Sequence, residues 1–309
     1  MKNFYDSEFE CTSTFEALAP FWHLWTPEDH EIIFPDAESF KAGMIILAIS
    51  AKLTPSIKII TFELMTNHLH ITAAGAEDSL LLLFDRFKRY LASYLRTKGA
   101  ITKLERFNCK TRRLDSIEDV RNVIVYNNRN GYVVSPDHTP FSFPWGANSY
   151  YFNPAAQRRF MESGDLRMTQ KERRSFIRSH DSDTLTDSPR MLDGYACPMD
   201  FCFIHDGERL FRNASHYFRE LSKNVESQKA IAAEIGERFF YNDDELFAAV
   251  QKICRDKYGQ GRPATLSSTA KTEMAKLMRY EYNAGNKQIA RILKLDINII
   301  NSLFPPLPQ

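Results

Sequence analysis

The chain has 309 residues, 43% hydrophobic and 26% charged, with a formal net charge of +1, so it carries enough apolar residues for one large core or two to three modest domains, and its bulk charge predicts no polyanion partner. No apolar run reaches the roughly 18 residues of a membrane span, and the acidic start MKNFYDSEFECTST lacks the apolar core of a secretory signal, so the expectation is a cytoplasmic protein with no membrane partner. The scattered cysteines Cys11, Cys109, Cys197, Cys202 and Cys254 read as reduced thiols rather than a disulfide framework.

Residues 1–19 read as an irregular leader, and FWHLWT (21–26) as a short aromatic strand. Residues 38–52 have helical apolar spacing, and Pro55 stops that helix. Residues 57–74, rich in Ile, Thr and Phe, read as one long strand or a hairpin pair. Over 77–98 the spacing of Leu80, Leu83, Phe84, Phe87, Tyr90, Leu91 and Tyr94 predicts a helix, which Gly99 caps. Ser116 and Asp119, ahead of Val120, Val123 and Ile124, predict another helix that Gly131 ends. Elements in this order predict a small α+β sandwich.

The Pro-, Gly- and aromatic-rich stretch 136–154 reads as loop and as the edge of a first domain, residues 1–154. A mixed extension, 155–240, and a helical region, 241–309, follow it. Within 267–304 two helices are expected around Ala284–Gly285–Asn286, the second broken after Leu293. That pattern resembles a helix-turn-helix, with a plain helical hairpin as the alternative. Residues 84–113 are strongly basic with interleaved aromatics, a pattern suited either to holding a nucleic-acid backbone beside stackable bases or to a solvated amphipathic helix.

The chemistry concentrates in FELMTNHLHITAA, residues 62–74. Residues i and i+2 of a strand share a face, so His68 and His70 project side by side. Paired imidazoles suit a divalent metal. In VIVYNNRNGYVV (123–134), Tyr126 and Asn130 stand four apart and share a helix face. If that helix packs beside the histidines, Asn130 completes a three-ligand site and Tyr126 stands next to the metal. A zinc hydrolase would need a further acid or histidine, and none stands at a recognisable spacing. Glu63, counted along the histidine strand, is expected to face away.

MTNHLHI resembles the M-P-N-H-hydrophobic-H signature of HUH single-strand endonucleases, specifically the REP-associated tyrosine transposases and their insertion-sequence relatives. Tyr126, Asn130, Gly131 and Tyr132–Val133–Val134 resemble the family's second signature, with Thr66 in the place of a proline and Asn130 directly abutting Gly131. The resemblance covers about residues 20–150. It implies an antiparallel-sheet HUH sandwich, ferredoxin-like or RRM-like, here followed by an added helical C-terminal region. It also implies His68, His70 and Asn130 as ligands of Mg²⁺ or Mn²⁺, with Tyr126 as nucleophile in cleavage and rejoining of single-stranded DNA, including DNA able to form hairpins. The alternative is a non-catalytic DNA-binding protein on the same fold. Lys88, Arg89, Arg96 and Lys98 are the candidate phosphate contacts, and Lys287, Gln288 and Arg291 the candidate sequence readers. The family often has a histidine in its first strand, the place of His23; by residue type alone it reads as a core or edge histidine.

Overall fold

The computed structural model describes residues 4–27, 31–100, 104–133, 138–139, 141–223, 225–236 and 238–305. The chain forms two compact units, Met1–Ile235 and Gly236–Gln309. It is a mixed α+β protein with an open antiparallel sheet and an extensive C-terminal helical region. No described helix is long and apolar enough to cross a membrane.

The first unit is built on strands β1 (Phe21–Trp25), β2 (Ile57–Leu64), β3 (Leu69–Gly75) and β4 (Lys110–Leu114), in spatial order β2-β3-β1-β4. Residues 57–74 are therefore a hairpin, and the Met65 N–H donates to the His68 carbonyl across its turn at 2.9 Å. Helices α1 (Phe4–Leu18), α2 (Ala37–Lys52), α3 (Glu77–Thr97) and α4 (Ile117–Val133) surround the sheet. Asp36 and Ser39 form a reciprocal cap at the start of α2, which satisfies N–H groups that the first turn leaves open.

The sheet has two unlike faces. Leu24, Phe62, Leu64, Leu69 and Ile71 share one by register, beneath α2 and α3. Close approach there depends on Gly43 of α2, where an added Cβ would come within 2.7 Å of Leu64 Cδ2. On the same side the Thr111 hydroxyl donates to Glu77 of α3 at 2.6 Å. The other face carries His23, Trp25, Thr61, Glu63, His70 and Thr72, and α4 covers it. The outer edge of β2 is paired by residues 145–147: the Leu64 N–H donates to the Trp145 carbonyl at 2.8 Å and the Ala147 N–H to the Phe62 carbonyl at 3.1 Å. That pairing removes an open edge.

Helices α5 (Pro154–Glu162), α6 (Gln170–Ile177), α7 (Pro198–Phe201), α8 (Ile204–Glu208), α9 (Ala214–Lys223) and α10 (Val225–Ile235) belong to the same unit, with a short ribbon of β5 (Met191–Leu192) and β6 (Tyr195–Ala196). α1, α9 and α10 close the outer side of α4, so α4 is buried almost all round. The second unit holds α11 (Asp243–Tyr258), α12 (Ser268–Glu281), α13 (Asn286–Leu293) and α14 (Ile297–Leu303). A three-residue turn joins α13 to α14, opened by Lys294 in a left-handed conformation (φ +52°) and closed by Asp296 as the cap of α14. Ile289, Leu293, Ile300 and Phe304 are buried there.

Two expectations about the helices change. The expected irregular leader is helical over Phe4–Leu18: α1 buries Cys11 and Thr14, and Glu8 pairs with Arg121 and Arg212, partners too distant in sequence to be foreseen. Gly131 does not end its helix, since α4 continues to Val133; the missing Cβ instead makes room for Glu63 and Phe143. Val134 and the side chain of Tyr132 lie outside the described residues.

Candidate histidine–tyrosine site

Directly opposed residues of antiparallel strands point to the same side. One row across the sheet therefore runs Lys110, Trp25, His70, Glu63, and the next runs Arg112, His23, Thr72, Thr61. Hydrogen bonds orient α4 over these rows. Asn127 Nδ2 donates to Thr72 Oγ1 at 2.8 Å, and the Thr61 hydroxyl donates to Asn128 Oδ1. Asn128 Nδ2 in turn donates to the Tyr217 hydroxyl at 2.8 Å, and that hydroxyl to Asn148 Oδ1 at 2.6 Å. These buried polar groups lock the rotation of the helix about its axis, because leaving one unmade costs about 1–3 kcal/mol.

With α4 so oriented, Tyr126 lies edge-on to two imidazoles, its ring centroid 5.7 Å from that of His70 and 6.5 Å from that of His23. His68 and His70 also meet edge-on, at 5.0 Å. The rings of His23 and His70 stack at 5.6 Å, with His23 Nε2 3.3 Å from His70 Nδ1. His23 and His70 are 0% exposed, Tyr126 2% and His68 8%, while Asn130, one turn beyond Tyr126, is half-buried. The cluster thus nears solvent at His68, its least buried imidazole. The structure brings His68, His70 and Tyr126 together, and adds His23.

Residue-type reasoning also missed Glu63. Its carboxyl is fully buried on the imidazole face, opposite His70 and wedged between Gly131 and Gly146, where an added Cβ on either glycine would overlap it. Burial pushes its pKa well above the usual carboxylate range, and only the Gly131 backbone N–H pulls the other way. The signal was the hairpin itself. Its four-residue turn pairs odd-numbered residues with even ones, so Glu63 meets His70 rather than facing away.

Both candidate ligand histidines have Nδ1 oriented by a neighbour: Asn67 Oδ1 lies 2.8 Å from His68 Nδ1, and His23 Nε2 is the partner of His70 Nδ1. A proton on Nδ1 leaves the lone pair on Nε2, the arrangement that fixes the tautomer of metal-binding histidines. Among the described residues, no group of three or more His, Cys, Asp or Glu side chains is disposed to hold a metal ion.

The α3 cations lie across the sheet from this cluster. Arg89 pairs with Asp181 at 2.6 Å, Lys98 with Glu38 at 2.9 Å, and Lys88 donates to Asn108 at 2.7 Å; Arg96 is exposed. In the second unit, Gln288 donates to the Tyr241 carbonyl and Asp243, both at 3.0 Å. Arg291 pairs with Asp243 at 2.8 Å, so both residues fasten α13 to the start of α11, while Lys287 is exposed. No family model, curated protein or solved structure matches this chain.

Proposed function

We propose that the protein cuts and rejoins single-stranded DNA through Tyr126, as an HUH endonuclease of the tyrosine transposase type. The observation that carries this reading is the meeting of Tyr126 with His70, two residues from separate motifs, over one face of the sheet. The element order β1-α2-β2-β3-α3-β4 with strand order β2-β3-β1-β4 supports it, being the split βαβ arrangement of ferredoxin-like sandwiches.

His68, His70 and Asn130 would hold Mg²⁺ or Mn²⁺, and imidazole ligands favour Mn²⁺. When bound, that cation polarises a non-bridging phosphate oxygen and offsets developing negative charge. The phenolic oxygen of Tyr126 attacks phosphorus in line. The tyrosyl O–P bond forms as the P–O3′ bond breaks, giving a 5′-phosphotyrosine and a 3′-hydroxyl. The phenolic proton leaves toward the histidine cluster, and the departing 3′-oxygen takes up a proton. Attack by a 3′-hydroxyl in the reverse sense rejoins the strand without a nucleotide cofactor. In the second unit, α13 and α14 form the helix-turn-helix of this reading, with Lys287 facing DNA.

The test is a denaturing gel of the protein incubated with labelled hairpin-forming single-stranded oligonucleotides and Mn²⁺. A covalent protein–DNA band that Tyr126→Phe abolishes is the expected result. Retarded complexes on a native gel with no covalent band from the parent protein would replace this reading with that of a non-cutting DNA-binding protein.

A further inference from the structure

We propose that Lys110 and Trp25 form the phosphate-binding row of this site, taking the backbone phosphate next to the scissile one as the strand crosses edge strand β4. The inference rests on the reading of Tyr126 and the histidines as a DNA-cutting centre. It places the phosphate contacts on the imidazole face of the sheet and not on α3.

The register carries the argument. Trp25 is the direct partner of His70 on one side and of Lys110 on the other, so all three side chains rise from the same face. Side-chain contacts at neighbouring positions of β4 agree with this parity. Arg112, on the same face as Lys110, bonds Asp119 of α4 at 3.0 Å, whereas Thr111, on the opposite face, bonds Glu77 of α3. Strands lie about 4.8 Å apart, which puts the Lys110 backbone ~10 Å from that of His70. Side chains stand roughly perpendicular to a sheet, so the Lys110 ammonium and the His70 ring rise side by side about that far apart, a span that two adjacent backbone phosphates with their contacts can bridge.

The charge state of β4 separates Lys110 from its neighbours. Arg112 is held by Asp119 and Glu234, and Arg113 by Asp115. Lys110 is exposed, and no carboxylate engages it among the described residues. The α3 cations Arg89 and Lys98 already have carboxylate partners and stand behind the sheet.

Trp25 supplies an independent observation. It is 6% exposed, and its indole Nε1–H is buried with no acceptor among the described residues. A buried donor without an acceptor is costly. A phosphate oxygen is an acceptor of the required kind, and phosphate contacts hold a strand in register without reading its sequence. Lysine provides the point charge and indole the single directed donor.

The experiment measures fluorescence anisotropy of a labelled single-stranded oligonucleotide against salt, with Tyr126→Phe as parent so that no strand is cut. Adding Lys110→Ala should weaken binding about tenfold at low salt and reduce the slope of log affinity against log salt by about 0.7, one phosphate contact on a single strand. Lys110→Arg should restore most of the binding, which a merely misfolded site would not allow. Trp25→Phe should weaken binding several-fold with the salt slope unchanged. The combined Lys88→Ala and Arg89→Ala variant should lose less than Lys110→Ala alone. Tight binding indifferent to Lys110, or a larger loss from the α3 pair, overturns this proposal and leaves the cutting reading intact. Absence of any binding by the parent overturns both.

Discussion

The two faces of the four-stranded sheet are made by alternate residues of the same strands and obey different rules. Beneath α2 and α3 the contacts are apolar, and any well-shaped hydrocarbon could fill them. Beneath α4 the contacts are histidines, threonines, asparagines, a tryptophan and a carboxyl, most of them buried. The first face holds the fold by removing area from water. The second consists of groups that are costly to bury and that specify one orientation of one helix. The proposed function makes use of the second face only.

The comparison can be broken by substitution. Phe62 is fully buried on the apolar face, and Phe62→Ala should cost about 3–5 kcal/mol in urea unfolding through lost burial and the cavity left behind. A cost under about 1 kcal/mol would show that this face is not the structural one. On the polar face, Gly131→Ala drives a methyl into the Glu63 carboxyl and the Phe143 ring and should cost about 1–3 kcal/mol by overpacking. Adding Glu63→Ala should recover part of that loss, and strictly additive losses would mean that the two residues do not press on one another.

The smallest effect concerns pH. Because burial raises the folded-state pKa of Glu63, the unfolded chain releases this proton at a lower pH than the folded chain does. Below the unfolded value both states are protonated and the contribution is fully present. As pH rises toward the folded value, folding must take up a proton and stability declines. Glu63→Gln cannot ionise, so its melting temperature should hold up better than that of the parent between mildly acidic and mildly alkaline pH. Parallel melting curves across that range would place the Glu63 carboxyl in a wetter setting than the structure gives it.

Local periodicity made several elements legible. The apolar stripe of α3, the strand character of 57–74 and the helix carrying Tyr126 all follow from residue spacing, since each is a repeat of 3.6 or 2 within one segment. The pairing of His68 with His70 was legible for the same reason. Glu63 was misread because parity was counted along one strand, while the chain turns back at residues 65–68. Trp25 carried only the ambiguity of an aromatic residue in a short strand, and His23 in addition the first-strand position that the resemblance implies. Composition does not distinguish Lys110 from the α3 cations, because it does not say which side of a sheet a charge will occupy.

Residue spacing alone tells which residues can share a face: two imidazoles two apart on a strand, and a phenol and an amide four apart on a helix. The packing of distant segments brings the phenol to the imidazoles, adds Glu63 and His23 beside them, and continues the row through Lys110 and Trp25 while the α3 cations lie behind the sheet. The physical reason is range. Periodicity is set by the backbone geometry of adjacent residues, whereas strand register and helix rotation are set by hydrogen bonds such as Asn127 to Thr72, between groups far apart in the chain.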